Sequence, residues 1–200
     1  MIAELAAALR KHPPAVVAIG ASAGAVEALM QLLPELPADL PAPVLVVVHV
    51  PADRRSALPE LFEKSCALPT REAEDKIMPD PATVYFAPPD YHLLVERDGA
   101  LALSVDEPVH HSRPSIDVLF DSIAEAHGDR ALGILLSGAS RDGADGLAHV
   151  RAEGGHTWVQ TPETAQVAVM PRAALALAPH ATLDPRSMGR ALAEWGGHRG

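Results

Sequence analysis

The stretch from residue 15 to residue 33 constrains the fold more than any other part of the sequence. It opens with the apolar run 15–19, rich in β-branched residues, which is typical of a strand buried on both faces. Beyond Gly20 and Ser22 the apolar side chains recur at helical spacing, at Val26, Leu29, Met30 and Leu33. The sequence therefore predicts a buried strand, a tight turn and a helix, with the Ser22 hydroxyl at the crest of the turn.

The turn itself, Gly20-x-Ser22-x-Gly24, has the G-x-S-x-G spacing of a nucleophile elbow. Small residues on both sides of Ser22 allow the backbone to fold sharply and allow a substrate to approach the hydroxyl. Unpaired N–H groups at the start of the following helix favour a developing negative charge. A serine in this position can also serve only as a helix cap. The motif alone leaves both interpretations open.

A second buried strand is predicted over residues 44–50, where a valine-rich run carries His49 and stops at Pro51. Two such strands joined by a helix form a right-handed βαβ unit, which places both carboxyl ends at one edge of a parallel sheet. Ligands of open α/β sheets bind at that edge. Ser22 and His49 are therefore expected to be neighbours.

A third predicted strand ends at Leu136 and leads into a loop rich in glycine and hydroxyl groups, which carries Asp142 and Asp145. Either carboxylate could complete a serine–histidine–aspartate set with Ser22 and His49. In such a set the histidine takes the serine proton and the carboxylate fixes the histidine tautomer, while backbone N–H groups stabilise the oxyanion. The serine, histidine and aspartate side chains after the three predicted strands together predict acyl-transfer chemistry.

Composition narrows the classes of partner and cofactor. A formal net charge of −10, from 16 basic and 26 acidic residues, argues against nucleic acid and anionic membrane surfaces as main partners. The single cysteine, Cys66, excludes an internal disulfide and a cysteine-built zinc site. No run of 18 apolar residues exists, so we expect no membrane insertion and a cytoplasmic protein.

Neither a metal nor a cofactor is expected from the remaining histidines, which lack the spacing of a metal site. We expect them to be solvated or structural: His92, His110, His111, His127, His156, His180 and His198.

The length of 200 residues suits a single domain. The expected division is a helical extension at 1–13, a core at 14–185, and a closing helix with a tail at 186–200. Short strands are predicted at 83–87, 93–96 and 101–105, and Asp98-Gly99 between the last two is a hairpin signal. We expect this meander to extend one edge of the sheet in antiparallel fashion.

Two known folds share parts of this pattern but fit poorly. An α/β-hydrolase has several strands before its elbow and the chain order Ser, Asp, His, whereas His49 precedes Asp142 here. A dinucleotide-binding domain requires G-x-G-x-x-G and an acidic residue after its second strand, where this sequence has His49.

Six segments of the sequence together resemble one family, the catalytic domain of CheB-type protein-glutamate methylesterases of bacterial chemotaxis. They are GASAG at 20–24, VH at 48–49, VYFAPPDYHLL at 84–94, RPSIDVLF at 113–120, LSGASRDGA at 136–144 and MPRAA at 170–174. The segments occur in the family's order between about residue 14 and residue 185, which makes the resemblance far more specific than the elbow alone.

The resemblance implies a doubly wound, mostly parallel sheet with an antiparallel hairpin. It implies hydrolysis of glutamate γ-methyl esters on chemoreceptor cytoplasmic helices, and often deamidation of receptor glutamines. The family's nucleophile falls on Ser22, its base on His49 and its orienting acid on Asp142, which leaves Asp145 as a loop residue. The implied oxyanion and pocket residues are Ala23, Ala139 and Met170. His92 and Arg113 are expected near the cleft.

Several positions depart from the family's usual residues. Ala23 stands for Thr, Ala25 for Gly, Ala139 and Ser140 for Met and Gly, and Val169 for Gly. Serine at 140 would be strained if that position needed positive φ. Ala139, Ser140 and Val169 favour one alternative to the methylesterase, a CheB-like binding or regulatory domain without turnover. A third possibility is an esterase for another ester.

The stretch before the first strand is too short for the N-terminal receiver domain common in the family. Control by phosphorylation of such a domain is therefore not expected within this sequence.

Overall fold

A sheet of parallel strands lies at the centre of the computed structural model, which describes residues 1–50 and 56–197. Its seven strands in the described part run in the order β3-β4-β2-β1-β7-β8-β9. Their bounds are β1 Val16–Ala21, β2 Val44–Val48, β3 Thr70–Glu72, β4 Val84–Phe86, β7 Ala131–Leu135, β8 His156–Gln160 and β9 Ala181–Leu183. The chain moves outward from β1 in both directions, so the order reverses beside β1, where open α/β sheets bind their ligands.

Helices cover both faces of this sheet. Their bounds are α1 Ile2–Lys11, α2 Ala25–Leu32, α3 Leu58–Glu63, α4 Ile116–His127, α5 Ala144–Ala152, α6 Val169–Leu175 and α7 Pro185–Gly196. Val17 of β1 joins one buried cluster with residues of α1, α2 and α7, and Val16 joins a second with residues of α4, α5 and α6. Since successive side chains of a strand point to opposite faces, a strand covered on both sides must be apolar throughout. The expected doubly wound, mostly parallel α/β fold is confirmed.

The meander does not extend the sheet as expected. β4 lies inside the main sheet, parallel to both β2 and β3. The strands β5 His92–Val95 and β6 Leu101–Ser104 pair with each other as a separate antiparallel hairpin. β4 is apolar on both faces, with Val84 in one core and Tyr85 in the other, and therefore fits an interior strand. The hairpin is confirmed, but its expected place at the sheet edge is wrong.

The two outermost strands, β3 and β9, were not expected from the sequence. Each spans three residues and is partly exposed, so neither shows an apolar run. Helix α6 begins two residues before Pro171. Helix α7 is capped by Asp184, which accepts a 2.9 Å hydrogen bond from the Ser187 N–H. Pro51, His198 and the end of the expected tail lie outside the described residues.

The terminal helices pack together over the sheet. Leu9 of α1 and Leu192 of α7 are buried in the cluster that contains Val17. The division into extension, core and tail stays a prediction. In the part of the chain that the structure describes, we find no helix with the length and apolar character needed to cross a bilayer.

Candidate active site

Ser22 lies directly after β1, in the turn that leads into α2. Its N–H donates a 2.9 Å hydrogen bond to the Ser137 carbonyl, which ties the turn to the loop after β7. Its own carbonyl accepts a 2.9 Å hydrogen bond from the Ala25 N–H, which closes the turn. Gly24 caps α2 with φ of 82°, a conformation that favours glycine. The predicted strand–turn–helix arrangement around Ser22 is confirmed.

The glycines of the elbow are required by close packing. A Cβ on Gly20 would collide with Cγ2 of Ile116, at the start of α4. A Cβ on Gly24 would lie 2.6 Å from Oγ of Ser137. That hydroxyl donates a 2.7 Å hydrogen bond to the Ala23 carbonyl and accepts a 2.9 Å bond from the Val167 N–H. The elbow, the loop after β7 and the segment before α6 are thereby held together.

His49 follows β2 and contacts Asp142, from the loop after β7. Its Nε2 lies 2.7 Å from Oδ2 of Asp142. The side chain of His49 is 14% exposed, whereas that of Asp142 is fully buried. Because an ionised carboxylate only accepts hydrogen bonds, this contact assigns the imidazole hydrogen to Nε2 and leaves a lone pair on Nδ1.

The carboxylate of Asp142 is held by the N-terminus of α4. Its Oδ2 accepts a 2.7 Å hydrogen bond from the Ile116 N–H. Its Oδ1 accepts one of 3.0 Å from the Asp117 N–H and one of 2.8 Å from the Ser115 hydroxyl. Burial raises the pKa of the Asp142 carboxyl, but the hydrogen bonds from His49 and from α4 outweigh burial, and the pKa lies below its ordinary value. Asp142 is therefore held as an anion.

The other candidate carboxylate, Asp145, pairs with Arg141 and not with His49 in the described structure. It lies in the first turn of α5 and receives two 2.9 Å hydrogen bonds from the exposed guanidinium of Arg141. Of the two aspartates that the sequence left open, the described structure brings only Asp142 to His49.

Ser22 and His49 line the same open cavity, of about 570 Å³, as expected from the order of the strands. Among residues 1–50 and 56–197, no group hydrogen-bonds the Ser22 hydroxyl. The Nδ1 atom of His49 instead lies 3.5 Å from Oγ of Ser112, at the long limit for a hydrogen bond. Catalytic hydrogen bonds are often long or unformed before a substrate binds.

The two residues expected to supply oxyanion donors lie in the Ser22 turn and in the loop after β7. Neither the Ala23 N–H nor the Ala139 N–H donates a hydrogen bond to any described residue. Met170 is fully buried below this loop, where its N–H donates a 3.0 Å hydrogen bond to the Gly138 carbonyl. A Cβ on Gly138 would lie 2.6 Å from the Met170 sulfur. Met170 thus supports the loop from beneath and does not line the cavity.

The family departures cause no backbone strain in this loop. Ser140 is not among the described residues with positive φ, so the strain expected from serine at this position is absent. Its hydroxyl accepts a 3.3 Å hydrogen bond from the Asp142 N–H. Ala25 is buried at the start of α2, and Val169 is exposed at the start of α6.

His92 and Arg113 connect the segments behind the site. The buried His92 accepts a 3.1 Å hydrogen bond from the Ser115 N–H at Nδ1, and its Nε2 donates to the Glu107 carbonyl at 3.1 Å. The Arg113 guanidinium donates to Asp90 at 2.6 Å. Neither side chain lines the cavity of Ser22, but His92 contacts Ser115, whose hydroxyl binds Asp142.

One other group of titratable side chains lies beside α4. The ligand atoms of His110, Asp117 and Asp145 lie within 4.8 Å of one another. Nε2 of His110 lies 3.1 Å from Oδ2 of Asp117, and Asp145 is paired with Arg141. Burial raises the pKa of Asp117 to about 6; the Gly146 N–H opposes this effect and the Asp142 charge adds to it. Each carboxylate of this group therefore already has a partner within the protein.

Ser112 and Ser115 were missed by reasoning from the sequence. Both lie in the loop that leads into α4, away from the strand ends where functional side chains were sought. The signal available for Ser115 was its position immediately before a helix in the RPSID segment, 113–117, whereas Ser112 precedes that segment.

Comparison with known proteins decides the family. A family model described as CheB methylesterase matches residues 17–192. This chain belongs to the CheB methylesterase family. A protein of Leptospira interrogans is 42% identical to it over 159 residues, which are 80% of this chain and 82% of that one.

Other members of the CheB family extend the comparison. A Symbiobacterium thermophilum protein named protein-glutamate methylesterase/protein-glutamine glutaminase is 40% identical over 165 residues. The match covers 82% of this chain and 46% of that relative, so this chain spans about half of its length. The crystal structure of the Thermotoga maritima CheB methylesterase catalytic domain superposes with a TM-score of 0.86 at 29% identity. That match covers 90% of this chain and 98% of the Thermotoga domain.

Proposed function

We propose that this chain is a protein-glutamate methylesterase that hydrolyses γ-methyl esters on the cytoplasmic helices of chemoreceptors, and that the same site deamidates receptor glutamines. We propose a cytoplasmic location for this activity. The observation that carries the proposal is the 2.7 Å contact between His49 and Asp142 at a cavity that also contains Ser22, in a member of the CheB family.

In the proposed mechanism Ser22 is the nucleophile and His49 is the base. The lone pair on His49 Nδ1 takes the hydroxyl proton as Ser22 Oγ bonds to the carbonyl carbon of the ester. The buried negative charge of Asp142 stabilises the imidazolium that forms. Since Nδ1 now faces Ser112, the imidazole must turn toward Ser22 when the substrate binds, while it keeps the contact with Asp142.

The oxyanion of the tetrahedral intermediate would be held by the N–H groups of Ala23 and Ala139, which replacement of their side chains leaves intact. His49 then returns the proton to the departing oxygen, and methanol leaves. Water attacks the resulting acyl-serine after His49 removes one of its protons. His49 returns that proton to Ser22 Oγ as the acyl–oxygen bond breaks, which leaves free Ser22 and a glutamic acid that ionises to the carboxylate. With glutamine as the substrate, the first leaving group is ammonia.

The test is methanol release from membranes that carry radiolabelled, methylated chemoreceptors. Wild-type protein should release methanol, and Ser22→Ala should reduce the rate by about 10⁴-fold or more. Equal release by Ser22→Ala would remove Ser22 from the mechanism.

A second candidate function, a binding or regulatory domain without turnover, is favoured by the Ser22 hydroxyl, which has no hydrogen-bond partner among residues 1–50 and 56–197. That function predicts that wild type and Ser22→Ala bind methylated receptor membranes equally while neither releases methanol. Methanol release by the wild type alone excludes it. An esterase for another ester would hydrolyse small esters and leave the receptor methylated.

A further inference from the structure

The helices α2 and α3 border the cavity that contains Ser22. Val26 of α2 and Leu58 of α3 both line this cavity together with Ser22 and His49. Further along, the Met30 sulfur of α2 lies 3.8 Å from the hydroxyl of Ser65, just beyond α3. The two helices thus border the same cavity, and α2 also contacts the residue that follows α3 at Ser65.

Three apolar side chains of α2 and α3 are exposed to solvent. Val26 is 44% exposed, Met30 36% and Leu61 41%. Val26 and Met30 lie four residues apart on α2, and therefore on the same face of that helix. We call the set Val26, Met30, Leu58 and Leu61 the α2–α3 surface. Contiguous exposed apolar patches mark interaction sites, whereas apolar side chains exposed singly are ordinary.

A protein substrate must cover the α2–α3 surface if Ser22 is the nucleophile. A glutamyl ester side chain is short, so the backbone that carries it has to lie against the rim of the cavity, and part of that rim is Val26 and Leu58. Because the cavity opens directly onto these side chains, the segments that flank the ester would contact them first. The continuity of cavity and surface therefore identifies the occupant as the substrate protein.

The charges around the surface define the complementary partner. Glu27 of α2 also lines the cavity, and Glu63 of α3 is exposed, in a chain whose net charge is −10. An apolar stripe that has the Glu27 carboxylate at its cavity end suits an amphipathic helix with apolar residues at positions i, i+3 or i+4, and i+7. Basic or uncharged residues beside that stripe would avoid repulsion from Glu27.

We propose that the α2–α3 surface is the docking site for the substrate helix that carries the methylated glutamate. The proposal rests on the proposed function. The surface holds the helix by its apolar stripe and places the ester over Ser22, so it sets affinity for the receptor without taking part in bond making or breaking.

The test compares two substrates on the same variants. Met30→Glu and Leu61→Glu place a charge on the surface without altering the lining of the cavity. For methylated receptor membranes each variant should lower kcat/KM about tenfold, mainly through KM. Covalent labelling by a small fluorophosphonate, which needs the reactive serine but no docking, should keep its wild-type rate.

Met78→Glu is the matched control. Met78 is 62% exposed and lies beside a separate cavity that also contains Trp195, away from Ser22 and His49. It should behave as wild type with both substrates. Wild-type receptor turnover in Met30→Glu and Leu61→Glu overturns the proposal, as does a parallel loss of fluorophosphonate labelling, because that result indicates damage to the site itself.

A binding measurement separates this proposal from the proposed function. Ser22→Ala should still sediment with methylated receptor membranes, whereas Ser22→Ala combined with Met30→Glu should not. If wild type releases no methanol but the sedimentation difference holds, the esterase function fails and the docking site stands. If Met30→Glu instead converts a dimer to a monomer in sedimentation velocity and leaves receptor binding intact, a second copy occupies the surface and the proposal is wrong.

Discussion

Ser115 donates a 2.8 Å hydrogen bond from its buried hydroxyl to Oδ1 of Asp142, a residue 27 positions away in the sequence. Ser115 is also the N-cap of α4, where its hydroxyl accepts from the Val118 N–H at 3.5 Å. One side chain therefore links the start of the helix to the anion that orients His49. This arrangement lets the helix N-terminus stabilise the negative charge on Asp142.

Ser115→Ala should lower kcat about tenfold, since one hydrogen bond to a charged group is worth roughly 1.5–3 kcal/mol. The hydrogen bond stabilises the anion and lowers the pKa of Asp142, so its loss makes the carboxylate more basic. A more basic carboxylate stabilises protonated His49, and the acid limb of the pH–rate profile should move to higher pH.

Ser122→Ala is the control for Ser115→Ala. The Ser122 hydroxyl, also on α4, donates a 2.7 Å hydrogen bond to the Leu119 carbonyl and accepts from the Val95 N–H. Its loss should reduce stability and leave the pH–rate profile in place. If both variants shift the profile equally, the effect of Ser115 is structural only.

Asp142→Asn should reduce methanol release by about 10⁴-fold, because the amide can no longer act as an anionic acceptor for His49 Nε2–H. Asp145→Asn should stay within about twofold of wild type, since its exposed ion pair with Arg141 contributes little. The measurement is initial rate on methylated receptor membranes. A large loss in Asp145→Asn with full activity in Asp142→Asn would reverse the assignment of the two carboxylates.

Ala139→Pro removes the N–H group that is proposed to stabilise the oxyanion. The rate should fall by about 10²–10³-fold, the usual cost of losing one such donor. Ala139→Met restores the residue usual in the family and keeps the N–H, so it should remain within several-fold of wild type. Circular dichroism confirms that both variants fold. A proline variant that is folded and fully active would exclude Ala139 as a donor.

Asp117→Asn should change the pH dependence of stability. The pKa of Asp117 is raised to about 6 by burial, beside Asp142 and His110, whereas an unfolded aspartate titrates near its ordinary value. The folded state therefore binds the proton more tightly, and this contribution to the free energy of unfolding is complete below pH ~4 and is lost as the pH rises through about 6.

The decrease in the free energy of unfolding that Asp117 causes as the pH rises is at most about 3 kcal/mol, at about 1.36 kcal/mol per pKa unit. Urea unfolding of wild type and Asp117→Asn at a series of pH values measures it. The difference between the two proteins should change between pH ~4 and ~6 and be constant above that range. A constant difference across the whole range would contradict the raised pKa.

The meeting of the three loops that carry the site could be predicted, because topology places the carboxyl ends of parallel strands at one edge of the sheet. Parallel strands β1, β2 and β7 end at one edge, so Ser22, His49 and Asp142 had to lie near one another once the strands were recognised. The choice of Asp142 over Asp145 came from the family resemblance, and spacing alone left it open.

The serines that contact His49 and Asp142 could not be predicted in the same way. Ser112 and Ser115 reach the site from the loop before α4, and their contacts depend on how that loop packs against the loop after β7. The strands β3 and β9 escaped prediction because three partly exposed residues give no periodic signal. The interior place of β4 depends on its pairing with β2, a long-range contact that no local pattern encodes.

The identity of the reactive serine tests the central claim most directly, since His49 Nδ1 lies 3.5 Å from Ser112 while Ser22 shares only its cavity. Wild-type protein treated with a fluorophosphonate and mapped by peptide mass spectrometry should carry the adduct on Ser22. Ser112→Ala should be labelled on Ser22 as well, and Ser22→Ala should not be labelled. An adduct on Ser112, or labelling that survives Ser22→Ala, would contradict the assignment of Ser22 as the nucleophile activated by His49.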